Sequence, residues 1–174
     1  MSQFNNATAR LSIGSCDVDT LHVDAQYNPK ELQIDRSIQW SAVKQASQTA
    51  PARGDAAAHK GIQLEFTGAE GRSLTIELLF DGYEDGNPDI VTSAIGKLET
   101  MASVRDPASR DETQRRPHLC VVSWGQRGLP KFRCVIESLS TKYMMFGGDG
   151  APLRATCTVK LKEADAVQLQ KPGR

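Results

Sequence analysis

The residues that could do chemistry in this chain are few, and their spacing argues against most of the chemistry they suggest. The densest cluster is the acidic stretch Asp81-Gly-Tyr-Glu-Asp-Gly-Asn-Pro-Asp89. A calcium loop of the EF-hand type needs oxygen ligands at its first, third and fifth positions, glycine at the sixth and glutamate at the twelfth. Counted from Asp81, Asp85 and Gly86 fit, but Tyr83 and Thr92 fall where ligands are required. A turn that ends in a helix cap explains the same residues. His22, His59 and His118 form no closely spaced pair, so a zinc site would have to be assembled from distant strands with cysteine help. Cys16, Cys120, Cys134 and Cys157 contain no C-x-x-C pair, and the last three sit among apolar residues in predicted strands. They read as buried, reduced thiols, because free cysteine packs as a small hydrophobe. Gly147-Gly-Asp-Gly150 lacks the Gly-Lys-Ser/Thr ending of a phosphate loop, and no Gly-x-Ser-x-Gly elbow is present. The expectation is a non-enzymatic chain with no cofactor, no metal and no catalytic residues.

Composition points the same way. Lys+Arg and Asp+Glu are each 21 in 174 residues, so no net field gathers a polyanion, and nucleic acid is not an expected partner. No apolar run is long enough to span a bilayer, and Met1–Asn6 lacks the charged-then-apolar order of a signal peptide. Synthesis in the cytoplasm without direct membrane insertion is expected. Release outside the cell by a route that needs no signal stays open.

The elements that would position any site are mostly strands. Leu74, Ile76, Leu78 and Phe80 alternate with Thr75 and Glu77, the period of a half-buried strand. After the acidic turn, Asn87 suits a helix cap and Pro88 the first turn. Ile90, Val91, Ala94, Ile95, Leu98, Met101 and Ala102 then recur at steps of three and four, predicting one amphipathic helix over about 88–104. Upstream, strands are expected from Ala7 to Ile13, from Leu21 to Tyr27, and from Leu32 through Ile34 and Ile38 to Trp40. Ile62, Leu64 and Phe66 restart the alternation, and Gly68-Ala-Glu-Gly71 reads as the turn of a hairpin over 62–80. The stretch from Arg105 to Arg116 reads as a solvated linker. Leu119–Trp124 is apolar on both faces, as in a central strand. Phe132, Cys134 and Ile136 alternate next, and Ala155, Cys157, Val159 and Leu161 alternate with Thr156, Thr158, Lys160 and Lys162 in the last strand. The sum is a mainly β fold, an antiparallel barrel or sandwich in one domain over 1–174, with frayed tails at 1–6 and 166–174.

Between Ala42 and Lys60 the pattern fails. The segment is small, polar and aperiodic, either a mobile insertion or an arm that orders against a neighbouring subunit. Lys44, Gln45, Arg53, Asp55, His59 and Lys60 are its candidate subunit contacts.

An ordered set of short motifs adds a family resemblance. Tyr27-Asn-Pro-Lys-Glu-Leu-Gln-Ile34 leads to Trp40, followed by Phe80-Asp-Gly-Tyr83, the helix, Pro117-His-Leu119, Trp124-Gly125 and Phe132. Val135-Ile-Glu-Ser-Leu139, Tyr143, Phe146 and Gly150-Ala-Pro-Leu-Arg-Ala155 complete it. Over about residues 7–165 this order resembles the tube-type domain of contractile injection systems, including LysM-bearing phage baseplate proteins and the tube adaptors of phage-tail-like particles. The resemblance implies a split β-barrel with one flanking helix, assembled as a six-fold ring that joins an inner tube to the spike hub of a baseplate. Its implied partners are further copies of itself, the inner tube protein and the spike or hub protein. It also implies that 42–60 is an extended inter-subunit loop. Many such adaptors carry a C-terminal LysM domain, for which the sequence up to Arg174 has no room. A bulk tube subunit is the near alternative, and a non-assembling β-barrel that binds a ligand is the alternative of another class.

Overall fold

In the computed structural model, residues 9–43, 62–126, 128 and 131–167 are described, and they form two compact units. The larger comprises 9–35 and 72–167; the smaller comprises 36–43 and 62–71.

The described part of the larger unit is one antiparallel sheet of seven strands, one α-helix and a short 3-10 helix at Glu112–Gln114. Its strands are β1 (Leu11–Ser15), β2 (His22–Asp24), β3 (Gln33–Asp35), β6 (Ser73–Asp81), β7 (Cys120–Trp124), β8 (Phe132–Phe146) and β9 (Pro152–Glu163). Their order is β2-β1-β7-β8-β9-β6-β3, so the sheet has two unpaired ends and does not close into a barrel. The helix α1 (Asp89–Ala102) touches β8, β9, β6 and β2. Val91, Ile95, Leu98 and Met101, at steps of four, three and three, form its buried stripe. That stripe meets Leu74, Ile76, Leu78 and Phe80 of β6 and Ala155, Cys157, Val159 and Leu161 of β9 in one continuous core.

Pairing within this core is set by side-chain size as well as parity. Phe80 lies opposite Ala155, while Ile76 faces Val159 and Leu74 faces Leu161. The small alanine gives the ring room without an overpacked layer. On β8 the buried residues Phe132, Cys134 and Ile136 are even-numbered, but an irregularity between Ile136 and Ser138 shifts the register by one. Beyond it Leu139 is opposite Val159 and Tyr143 is opposite Ala155. A bulge of this kind changes which residues face the core. It explains why apolar residues occupy both parities of β8.

A side chain links the segment after β2 to the end of β6. Gln26, two residues beyond β2, donates from Nε2 to the Asp81 carbonyl (2.8 Å) and accepts from the Asp81 N–H (2.7 Å). A primary amide offers one donor and one acceptor on the same edge, so Gln26 pairs with Asp81 as a strand peptide would.

Several expectations are corrected here. The 62–80 hairpin does not form: β6 lies between β9 and β3. The turn residues at 68–71 favour a local reversal, but the nine-residue apolar register between β6 and β9 wins, because it buries a whole face. The strand expected from Leu32 to Trp40 is broken at Arg36-Ser37 into β3, in the large sheet, and β4 (Ile38–Ala42), in the smaller unit. The first strand, expected to end at Ile13, runs on through Gly14 and Ser15, which pair with Val121 and Cys120 of β7.

The smaller unit is the antiparallel pair of β4 and β5 (Leu64–Ala69), with Trp40 opposite Phe66 and Ala42 opposite Leu64.

Candidate assembly surface and a buried polar cluster

The β4–β5 pair exposes what a soluble strand pair normally hides. Trp40, Leu64 and Phe66 are each 57% exposed and Ile38 is 49% exposed. Trp40 and Phe66 meet edge to face with ring centroids 5.6 Å apart. Every residue of β4 is exposed, and none of β5 is buried. An isolated two-stranded pair is marginal in water, and apolar residues of this size grouped together mark an interaction surface. The candidate contacts Lys44, Gln45, Arg53, Asp55, His59 and Lys60 lie outside the described residues, as do the expected tails apart from residues 166 and 167.

The polar residues that sequence reasoning missed converge on Asp17, just after β1. Arg116 donates from Nη1 to Asp17 Oδ2 (3.0 Å) and from Nη2 to Oδ1 (2.9 Å), and the Leu119 N–H donates to Oδ2 (2.9 Å). Arg105 reaches Oδ1 at 3.4 Å. The three side chains are only 14–18% exposed. The Arg116 hydrogen bonds hold the Asp17 carboxyl below its ordinary range, against the opposing effect of burial. The segment read as a solvated linker is therefore anchored at both ends. It is also closed on itself, by Arg105 N–H to Arg116 C=O (3.1 Å) and Asp106 N–H to Gln114 C=O (2.9 Å). Charge alone marked it as solvent-facing; its two arginines have a specific acid 88 and 99 residues away, a pairing that no local pattern encodes.

Next to this cluster, Ser15 Oγ lies 2.8 Å from His118 Nδ1, and both residues are buried. A serine beside a histidine invites a nucleophile reading. Here the Ser15 oxygen already accepts from the Asp17 N–H (3.0 Å) and the Val18 N–H (3.1 Å), so both of its lone pairs are committed to a turn. The geometry serves chain folding.

The acidic stretch resolves in the same way. Asp81 accepts from Arg154 Nε (2.9 Å) and from the Tyr83 N–H (3.0 Å), and the Arg154 bonds lower its pKa. Asn87 Oδ1 accepts from the Asp89 N–H (3.0 Å), while Pro88 itself, φ −67° and ψ −19°, supplies no capping side chain. The stretch is a turn, an ion pair and a helix entry. Among the described residues, no three His, Cys, Asp or Glu side chains come together as metal ligands. Cys120, Cys134 and Cys157 are buried and free, as expected, and Cys16 is exposed. Burial pushes the Cys120 and Cys134 thiols up to about 12.

Comparison with known families decides what kind of protein this architecture serves. The model of the contractile injection system tube protein matches residues 13–171. The chain belongs to that family. No curated protein matches it. Membership gives the tube protein a structural role in a contractile injection system. Tube subunits function by self-assembly, and the β4–β5 pair is one exposed apolar surface among the described residues. No helix among the described residues is long and apolar enough to cross a membrane.

Proposed function

We propose that this tube protein forms a six-fold adaptor ring at the junction between the inner tube and the baseplate spike hub of a contractile injection particle. The observation that carries assembly is the β4–β5 pair, whose Trp40, Leu64 and Phe66 are more than half exposed. Burying one such side chain contributes about 1.5–3 kcal/mol, so the set can hold a subunit contact. In this reading the 42–60 segment serves as an inter-subunit loop, with Lys44, Gln45, Arg53, Asp55, His59 and Lys60 as its contacts. The adaptor position rests on the resemblance of the ordered motifs from Tyr27 to Ala155 to those of baseplate proteins. Hub, inner tube and further copies of the chain are its partners.

A second reading, the bulk tube subunit, is favoured by the family's own description as a tube protein. Copy number separates the two. Cryo-electron microscopy of intact particles, with quantitative mass spectrometry, should find a single ring of this chain between hub and tube. Copies that scale with tube length would establish the bulk subunit. A chain that never enters particles and stays monomeric would overturn both.

A further inference from the structure

The hydrogen bonds around Ser15 fix the protonation state of His118. A hydroxyl oxygen has two lone pairs and one proton. Both lone pairs of Ser15 Oγ are taken by the Asp17 and Val18 N–H groups, so its proton points at His118 Nδ1, 2.8 Å away. Nδ1 must therefore be an acceptor, and His118 is the neutral tautomer with its proton on Nε2. Protonated at both nitrogens, the ring would present an N–H to an oxygen with no lone pair left.

The surroundings work in the same direction. His118 is 5% exposed, and its backbone N–H donates to the Met101 carbonyl (3.2 Å) at the end of α1. Arg105 and Arg116 come from the 105–116 excursion, and Asp17 from the turn after β1. Glu99 of α1 lines the same groove of about 900 Å³ as His118 and Arg105. Cys120 of β7 donates its thiol to the His118 carbonyl (3.6 Å), and the free Cys16 is the residue after Ser15. Burial and the Arg105 charge lower the pKa of His118, with Asp17 opposing.

We propose that Ser15, Asp17 and His118 form an acid-released clamp that fastens the 105–116 excursion to the turn after β1. At neutral pH the Ser15–His118 bond holds the turn that presents Asp17, and Asp17 in turn holds Arg105, Arg116 and the Leu119 N–H. Adding a proton to His118 breaks the first contact and places a third cation beside the two arginines. The sign follows from linkage. The closed clamp binds fewer protons than the open one, so closure is full above the ordinary histidine value of about 6.5 and weakens below it. The equilibrium moves by up to about ten-fold per pH unit between the open and closed pKa values. Asp17, whose own pKa is depressed, contributes only at lower pH, below the ordinary carboxylate range. This device does not depend on whether the chain is an adaptor or a bulk subunit.

The test is amide hydrogen exchange of the full chain between pH 7 and pH 4.5, corrected for the chemical exchange rate, together with nitrogen NMR of the His118 ring. Protection of the Asp17, Val18 and Leu119 amides should fall in step with the titration of His118, with a midpoint below 6.5, while the Ile76 and Val159 amides stay protected. At pH 7 the ring should show an unprotonated Nδ1. His118→Asn keeps an acceptor near the Nδ1 position and cannot titrate, so it should abolish the step. The opposite tautomer, or protection that ignores the His118 titration, would overturn the clamp. So would a His118→Asn variant with an unchanged step. Should that variant fail to fold, the two wild-type measurements still decide.

Discussion

At the residue scale the tube protein is held by a few polar contacts between distant parts of the chain, and they set its response to pH and oxidation. Asp17 is the most connected. Its carboxylate takes two arginines and a backbone N–H while only 15% exposed, so removing its charge strands partly buried cations. Asp17→Asn should cost about 2–4 kcal/mol, between the loss of a charged hydrogen bond and that of a fully buried pair. Denaturant unfolding at pH 7 measures it, and a cost under about 0.5 kcal/mol, the range of ordinary surface changes, would show the cluster to be solvated. Because the folded pKa of Asp17 is lowered, its contribution is present above the ordinary carboxylate value and is lost as pH falls through the folded one. The thiols illustrate a different kind of control. Cys120 and Cys134 are directly opposite on β7 and β8. The flanking bonds, Cys16 N–H to Leu119 C=O and Ala164 N–H to Arg133 C=O, turn residues 119 and 133 toward their outer neighbours. Cys120 and Cys134 therefore direct their peptide groups at each other, in the wide type of pair with Cα atoms about 5.5 Å apart. Side chains so spaced stand beyond the mean Cβ separation of a disulfide, about 3.8 Å. Alkylation followed by mass spectrometry should find both thiols free and shielded until unfolding, even after mild oxidation; a Cys120–Cys134 disulfide in native protein would contradict that register.

At the scale of elements, the helix and the strands beneath it carry most of the core. Leu98 is fully buried at the centre of the α1 stripe, and Leu98→Ala should cost about 2–5 kcal/mol as a cavity-forming truncation. Thermal or denaturant unfolding checks this; a loss below about 1 kcal/mol would mean that the stripe faces solvent or a partner. These elements were the legible part of the sequence. Four apolar positions on β6 and four on β9 alternate without interruption, and both strands bury the expected residues. The helix stripe was equally plain, because its period differs from that of everything around it. The parity change in β8 was not legible, since a bulge appears in sequence only as apolar residues on both faces. Nor was the partner of β5: Leu64 and Phe66 alternate as strand residues should, but alternation does not say which strand pairs with them. The glycines at 68 and 71 pointed to β6, and the structure pairs β5 with β4. The partly buried polar cluster was invisible for a related reason. Ser15, Asp17, Arg105, Arg116 and His118 belong to no motif, and only the return of β7 alongside β1 brings them together.

At the scale of the whole molecule, the question is why a chain with a complete core also carries an apolar strand pair in water. The larger unit has what a stable domain needs: a buried helix stripe, a continuous cluster of aliphatic side chains and, among the described residues, no buried side-chain polar atom without a partner. The β4–β5 pair has none of this, and its large side chains are about half exposed on both strands. Selection for solubility alone would replace Trp40 and Phe66 with polar residues. Their presence fits a subunit that buries them against neighbours. The two roles are therefore separable by mutation. Trp40→Ser combined with Phe66→Ser removes the 5.6 Å ring contact and the largest exposed apolar groups without touching the core of the larger unit. The unfolding free energy of that unit should change by no more than about 0.5 kcal/mol, as for other exposed positions. Incorporation into rings or particles, followed by sedimentation and electron microscopy, should be lost or reduced by at least about ten-fold, the equivalent of 1.4 kcal/mol per contact. Normal particles built from the double variant would show that the pair is not the assembly surface. A variant that unfolds the larger unit would instead show that these side chains belong to its core.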